Sequence, residues 1–177
     1  MQLKNSENHY GIIAISLHWL MAILLIGMLS LGLYMTGLPI SLEKLKLYGW
    51  HKEYGILALL LLIIRLVWRF TNITPRLSLP LLEKFAARAV HWAFYGFMIA
   101  MPLTGWLISS AAGLPVSFFG LFVLPNLVEP NDHLMKLCGE IHEYLGYGLI
   151  ATIILHVAAA LKHHFINKDD ILRRMLS

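Results

Sequence analysis

The sequence predicts an all-α integral membrane protein, a bundle of four spanning helices. Composition is the first reason: the 177 residues are 58% hydrophobic and only 14% charged, with mean hydropathy +0.68, whereas soluble domains run at about 45–50% and about 25%. Charge placement is the second. No Asp, Glu, Lys or Arg falls between Asn8 and Leu42, Ala89 and Val128, or Tyr144 and Leu161, and only Arg65 interrupts Tyr54 to Trp68. Stretch length is the third, since a spanning helix needs roughly 20 mostly apolar residues.

The first helix is expected over about 11–35. Its apolar run is longer than the apolar region of a typical signal peptide and lacks a clear small-residue cleavage site, so it is read as a retained span. The second is expected over about 51–70. The connection that follows, "TNITPRLSLPLLEK", is short and punctuated by proline, as a tight link between helices should be. The third is placed over about 89–110. After it comes "AAGLPVSFFGLFVLPNLVEPNDHL", whose three prolines oppose a regular helix; it is expected to lie at the interface and not to span. The fourth covers about 138–165. These elements fill residues 1–177 as one domain.

Orientation follows from Lys and Arg placement. With both termini in the cytoplasm, the inner segments hold Lys4, Arg65, Arg69, Arg76, Lys84, Arg88, Lys162, Lys168, Arg173 and Arg174, and the outer ones only Lys44, Lys46, Lys52 and Lys136. Positive charge concentrates inside, so both termini are expected in the cytoplasm. The net charge of +4 is accounted for at membrane borders and lipid head groups, with no nucleic-acid partner. The single cysteine, Cys138, excludes an intramolecular disulfide. No Cys-x-x-Cys-His is present, so covalent c-type haem is excluded.

The two halves echo each other. "HWLMAILLIG" from His18 precedes "GLPIS" at Gly37, and "HWAFYGFMIA" from His91 precedes "GLPVS" at Gly113. Each half then reaches a histidine with glycine four residues on, "HKEYG" at His51 and "HEYLG" at His142. A two-helix repeat keeps its orientation in the bilayer.

Histidines within spanning helices mark function by default. His51 and His142 begin the second and fourth helices on the outer side. His18 and His156 lie toward the inner side. From His142 to His156 a helix rises about 21 Å and turns about 1400°, some 40° short of four turns, so both share one face at opposite leaflets. Zinc or copper would favour clustered ligands, often with Cys or carboxylate. Paired imidazoles on different helices beside small residues (Gly55, Gly146 and Ala158 to Ala160) suit a flat macrocycle that approaches the backbone. Two b-type haems with bis-histidine ligation follow, and such sites carry electrons and leave O₂ unbound. Hydrogen bonding between helices is the competing use of any single histidine. His91 matches His18 in the repeat; it is an alternative inner ligand, a quinone contact or a packing group against Tyr95. His163 and His164, beside Lys162, are expected to anchor at the interface.

"SLHWLMAILL", "WHKEYGILALLLLIIRLVWR", "AVHWAFYGFMIAMPLTGW" and "LHVAAALKHHFINKDDILRRM" resemble the bacterial cytochrome b561 family across nearly the whole chain, and its short four-helix members most. The resemblance implies four haem-ligand histidines, which fall on His18, His51, His142 and His156, and so selects His156 over His91. It also implies ubiquinone as bound substrate and, for the short type, oxidation of superoxide outside. Lys52, beside His51, is a candidate for steering that anion, in competition with membrane anchoring. Arg65 and Arg69, four residues apart, can face inner-haem propionates or snorkel to phosphates. No residue is expected to act as a catalytic acid or base in the donor step. An electron-relay subunit of a hydrogenase- or dehydrogenase-type complex is the alternative, with a redox protein as donor. A non-redox transporter would bind no haem.

Overall fold

A computed structural model describes residues 2–75 and 79–176; Arg76, counted above on the inner side, lies outside the described residues. Lipid offers backbone groups no hydrogen bonds, so each apolar stretch satisfies its own as a helix. The helices are α1 (Ile12–Thr36), α2 (Leu42–Thr71), α3 (Leu81–Ala111) and α4 (Asp132–Lys162), all long and apolar enough to cross a membrane. They pack in sequence order, α1 on α2, α2 on α3, α3 on α4. Trp19 Nε1 donates to the Met175 carbonyl at 2.7 Å, which places the start of α1 and the end of the chain on one side.

Three helices begin earlier than the apolar pattern predicts, because caps and not hydropathy set their ends. α2 starts at Leu42, where the Ser41 hydroxyl accepts from Lys44 N at 3.2 Å. Lys44 Nζ closes the preceding turn on the Leu38 carbonyl at 2.6 Å. α3 starts directly after Pro80, and α4 starts at Asp132, where Asn131 accepts from Leu134 N at 2.9 Å. Asn and Ser caps of this kind stabilise a helix by about 1 kcal/mol. The extra turns carry Glu43, Lys44, Lys46, Glu83, Lys84, Arg88, His133 and Lys136, charged and polar groups suited to water or head groups.

The outer connection is not a span. Strand β1 (Val116–Phe118) pairs antiparallel with β2 (Phe122–Leu124) in the register Val116 to Leu124. The turn between them takes Phe119 and Gly120 through positive φ, 49° and 72°. Tyr54 of α2 stacks edge-on against Phe119 at 5.2 Å, and Trp106 Nε1 donates to the Pro125 carbonyl at 3.1 Å.

Both terminal segments fold beneath the bundle. Asn5 donates to the Ile73 carbonyl and accepts from Gly11 N, each at 2.8 Å. Gly11 has no room for a side chain, since a Cβ there would meet the Leu3 carbonyl at 2.5 Å. At the other end α4 loosens into a π-turn, His163–Asn167, which Lys168 ends in a left-handed conformation with φ 54°. His163 is therefore not an interfacial anchor. It is buried, at 9% exposure, and its Nδ1 meets Asp169 Oδ2 at 2.6 Å, while neighbouring Lys162 pairs with Glu83 Oε1 of α3 at 2.9 Å. This pair turns the chain back under the bundle.

Met21 of α1, Leu62 of α2, and Tyr95 and Met98 of α3 form the buried core. Outward positions such as Ile23, Ile64 and Leu155 stay exposed, which costs nothing against lipid tails as apolar as themselves. Asp169→Ala should remove the shortest contact of His163 and leave its Nδ1 to Asn167 Nδ2 at 3.1 Å, a loss of about 1 kcal/mol. Hydrogen exchange at residues 168–175 is then expected to quicken while the centres of α1 to α4 stay protected; unchanged exchange there would rule out the latch.

Candidate functional site

Five of the six histidines on α1 to α4, all but His133, gather at two depths. Near the helix ends away from the two termini, at what the sequence reading takes as the outer level, the rings of His51 and His142 lie 6.2 Å apart between centroids. On the side of the termini, His156 lies 6.1 Å from His18 and 6.1 Å from His91, with Phe94 edge-on at 5.3 Å. An imidazole nitrogen sits about 2 Å from a bound metal, so two imidazoles on opposite sides of one iron have centroids about 6 Å apart. The outer pair matches that span, and His18–His156 and His91–His156 match it equally.

The outer pair is set by glycines. A Cβ on Gly32 would stand 3.3 Å from His51 Cε1, and one on Gly105 would stand 3.4 Å from His142 Cε1. Each of these glycines follows a repeat histidine by 14 residues, Gly32 after His18 and Gly105 after His91. At Gly55 and Gly146 an added Cβ would stand 3.8 Å from Met28 Cε and 3.9 Å from Met101 Cε, ordinary contact distances between α1 and α2 and between α3 and α4. The contacts recur at matching positions, so the sequence echo is also an echo in packing. Thr104 Oγ1 lies 2.9 Å from His142 Nδ1, whereas the buried His51 Nδ1 has no hydrogen-bond partner.

The inner group surrounds a cavity of about 470 Å³, within the ordinary range for small-molecule and cofactor pockets. His18, His91, His156, Arg65, Arg69 and Tyr95 all line it. Arg65 Nη2 lies 3.4 Å from His18 Nδ1, and the Arg69 guanidinium sits 5.6 Å over the Tyr95 ring. Residues invisible to sequence reasoning complete the wall: Tyr10, Trp68, and Leu172 to Met175 in part, through Leu172, Arg174 and Met175. The buried Trp68 Nε1 lacks a partner, a donor suited to an acceptor in the cavity. Burial lifts the Tyr10 phenol above its ordinary pKa against the lowering pull of Arg69, Arg65 and Arg174, so it remains an O–H donor at neutral pH. Of the Ala158 to Ala160 run, Ala160 faces the cavity.

Lys52 does not turn to the histidines. Its ammonium donates to Ser109 Oγ at 3.2 Å and to the Pro115 carbonyl at 3.4 Å, joining α2 to the end of α3 and the outer connection. Among the described residues, no group of three or more His, Cys, Asp or Glu is arranged to hold a bare metal ion. Paired rings without carboxylates or thiolates fit the axial positions of a macrocycle-bound iron.

The prokaryotic cytochrome b561 family model matches residues 9–177. The chain belongs to that family. It is 38% identical to Cytochrome b561 homolog 2 of Escherichia coli (strain K12), an alignment covering 99% of this chain and 95% of that protein. It is 33% identical to Cytochrome b561 homolog 1 of the same organism, covering 96% and 97%. Probable superoxide oxidase CybB of Yersinia pestis is 29% identical, covering 94% and 95%. The family makes this a bacterial membrane protein of electron transfer that carries b-type haem.

Gly105→Leu should push side-chain carbon into the His142 ring and lower the b-type haem recovered per chain, read by pyridine haemochrome assay. Gly139→Leu, at a glycine with no neighbour within 4 Å, should retain the wild-type content.

Proposed function

We propose that the chain, as one domain, is a di-haem cytochrome that passes electrons from superoxide outside the cell membrane to ubiquinone, with both termini in the cytoplasm. The observation that carries this reading is the pair of imidazole pairs, 6.2 Å and 6.1 Å between centroids, at two depths of one bundle. His51 and His142 would hold the outer haem, and His18 and His156 the inner one. Haem held there would supply one-electron exchange.

The chain's own residues supply binding and access. His51 and His142 approach through Gly32 and Gly105, which keep the rings close to the neighbouring helices. Arg69 and the Trp68 indole are placed to receive carboxylates in the inner cavity, where charge-assisted bonds are the strong ones. His91 stays as a polar group at that cavity, 6.1 Å from His156, and with the Tyr10 phenol offers hydrogen-bonding contacts to a quinone carbonyl. At the outer side Lys52 follows His51 in the chain and, with its ammonium held on Ser109 and Pro115, adds a positive charge to that face. A basic entrance raises the arrival rate of a small anion by roughly 10–10³-fold. The name of the Yersinia pestis relative supports superoxide as the donor. The reaction balances as two superoxide, one ubiquinone and two protons giving two O₂ and one ubiquinol.

His51→Ala and His156→Ala are each expected to lose one of two haems per chain, by haemochrome quantification and reduced-minus-oxidised spectra. In liposomes, superoxide should reduce ubiquinone through the wild type, and Lys52→Glu should cut that rate by about tenfold with reduced salt dependence. If His91→Ala leaves ubiquinone reduction unchanged, the quinone contact at His91 is wrong. Ubiquinone that stays oxidised in wild-type liposomes exposed to superoxide would remove superoxide as the donor.

A further inference from the structure

The two histidine pairs differ in what stands beside Nδ1 of one ring in each. At the outer level Thr104 Oγ1 is 2.9 Å from His142 Nδ1. The Thr104 hydroxyl directs its own proton to the carbonyls of Ala100 and Met101, at 2.8 and 2.9 Å. Its oxygen is thus left as an acceptor, Nδ1 carries the hydrogen, and Nε2 keeps its lone pair. An imidazole that donates in this way is a more basic ligand.

At the inner level the corresponding neighbour is a cation. Arg65 Nη2 lies 3.4 Å from His18 Nδ1. A guanidinium has five donors, no acceptor and a charge it never loses in proteins. It cannot accept a hydrogen from Nδ1; what it brings is a fixed positive charge beside the ring. Arg69 and Arg174 line the same cavity. At the outer level the neighbouring cation, Lys52, is drawn off to Ser109 and Pro115.

The repeat makes the contrast sharper. His156 follows His142 by 14 residues, and Arg65 follows His51 by 14. The first half therefore places arginine where the second places histidine.

We infer that Arg65 is a positioning residue for the direction of electron flow. Its charge beside His18 makes the inner haem the better electron acceptor of the two, while Thr104 makes the outer haem the better donor. The inference rests on the two-haem reading above. An oxidised centre carries one more positive charge than its reduced form, so a nearby fixed cation disfavours it, and strongly where the dielectric is low. A more basic ligand does the reverse at the outer level. One electron then leaves the outer centre and enters the inner one, with no bond made and no proton moved.

The test is an anaerobic redox titration of purified protein with haem quantified, followed optically and by EPR. The one-haem variants assign the levels: His51→Ala keeps the inner haem, and His156→Ala the outer. The inner haem should titrate at the higher potential. Arg65→Gln and Arg65→Leu should shift its reduction equilibrium toward the oxidised form by about tenfold or more, about 59 mV for each factor of ten, and leave the outer haem unmoved. Arg65→Lys should restore most of the shift, which a merely structural role would not do. Thr104→Val should move the outer haem the opposite way. A higher potential in His156→Ala than in His51→Ala overturns the inference without any Arg65 variant. So does an Arg65→Gln protein with two haems and wild-type potentials; in that event the two-haem reading stands. Wild-type protein with no haem, or with one, removes both.

Discussion

An imidazole within a bilayer has no water to bond, and nearly everything distinctive in this molecule follows from placing five of them there. The backbone is satisfied by helix formation alone, so the helices could be uniformly apolar. They are interrupted instead at His18, His51, His91, His142 and His156, and each interruption turns inward. Burying a polar ring is costly unless it finds a partner. Here the neighbours are the other rings, Thr104 and Arg65, while the buried His51 Nδ1 has no hydrogen-bond partner.

The internal echo explains how so short a chain builds two levels. α1 on α2 and α3 on α4 repeat one packing unit, with glycine against histidine and methionine against glycine at matching places. At the outer level the two copies contribute equivalent residues, His51 and His142. At the inner level they do so only in part: His18 and His91 are equivalent, but His156 of the second copy matches Arg65 of the first. Near-symmetry shapes the scaffold, and its breach separates the chemistry of the two levels.

Much of this was legible in the sequence. Four apolar stretches, the non-spanning outer segment and the division of histidines between two depths all come from hydropathy, proline content and helical rise. Helix starts were misplaced by six to nine residues at α2, α3 and α4, because hydropathy counts apolar residues while Ser41, Pro80 and Asn131 decide where a helix begins. Spacing says that a glycine is near a histidine along the helix, but not which face meets the neighbouring helix. Gly32 and Gly105 could have been found, since both stand 14 residues after a repeat histidine. Contacts made by the folded-under termini, such as Tyr10 at the cavity or His163 on Asp169, have no periodic signature, because they depend on where an irregular segment comes to rest.

α4 carries one histidine of each level within a single unbroken run of helix. Whatever the bundle does in response to temperature or to a thicker or thinner bilayer, the interval between the two levels is measured along one rigid element and not across a joint. Tilting, sliding or loosening of α1, α2 and α3 can change how tightly each pocket closes. It leaves the spacing along α4 as it was, so α4 serves as the molecule's ruler, indifferent to the membrane in which it stands.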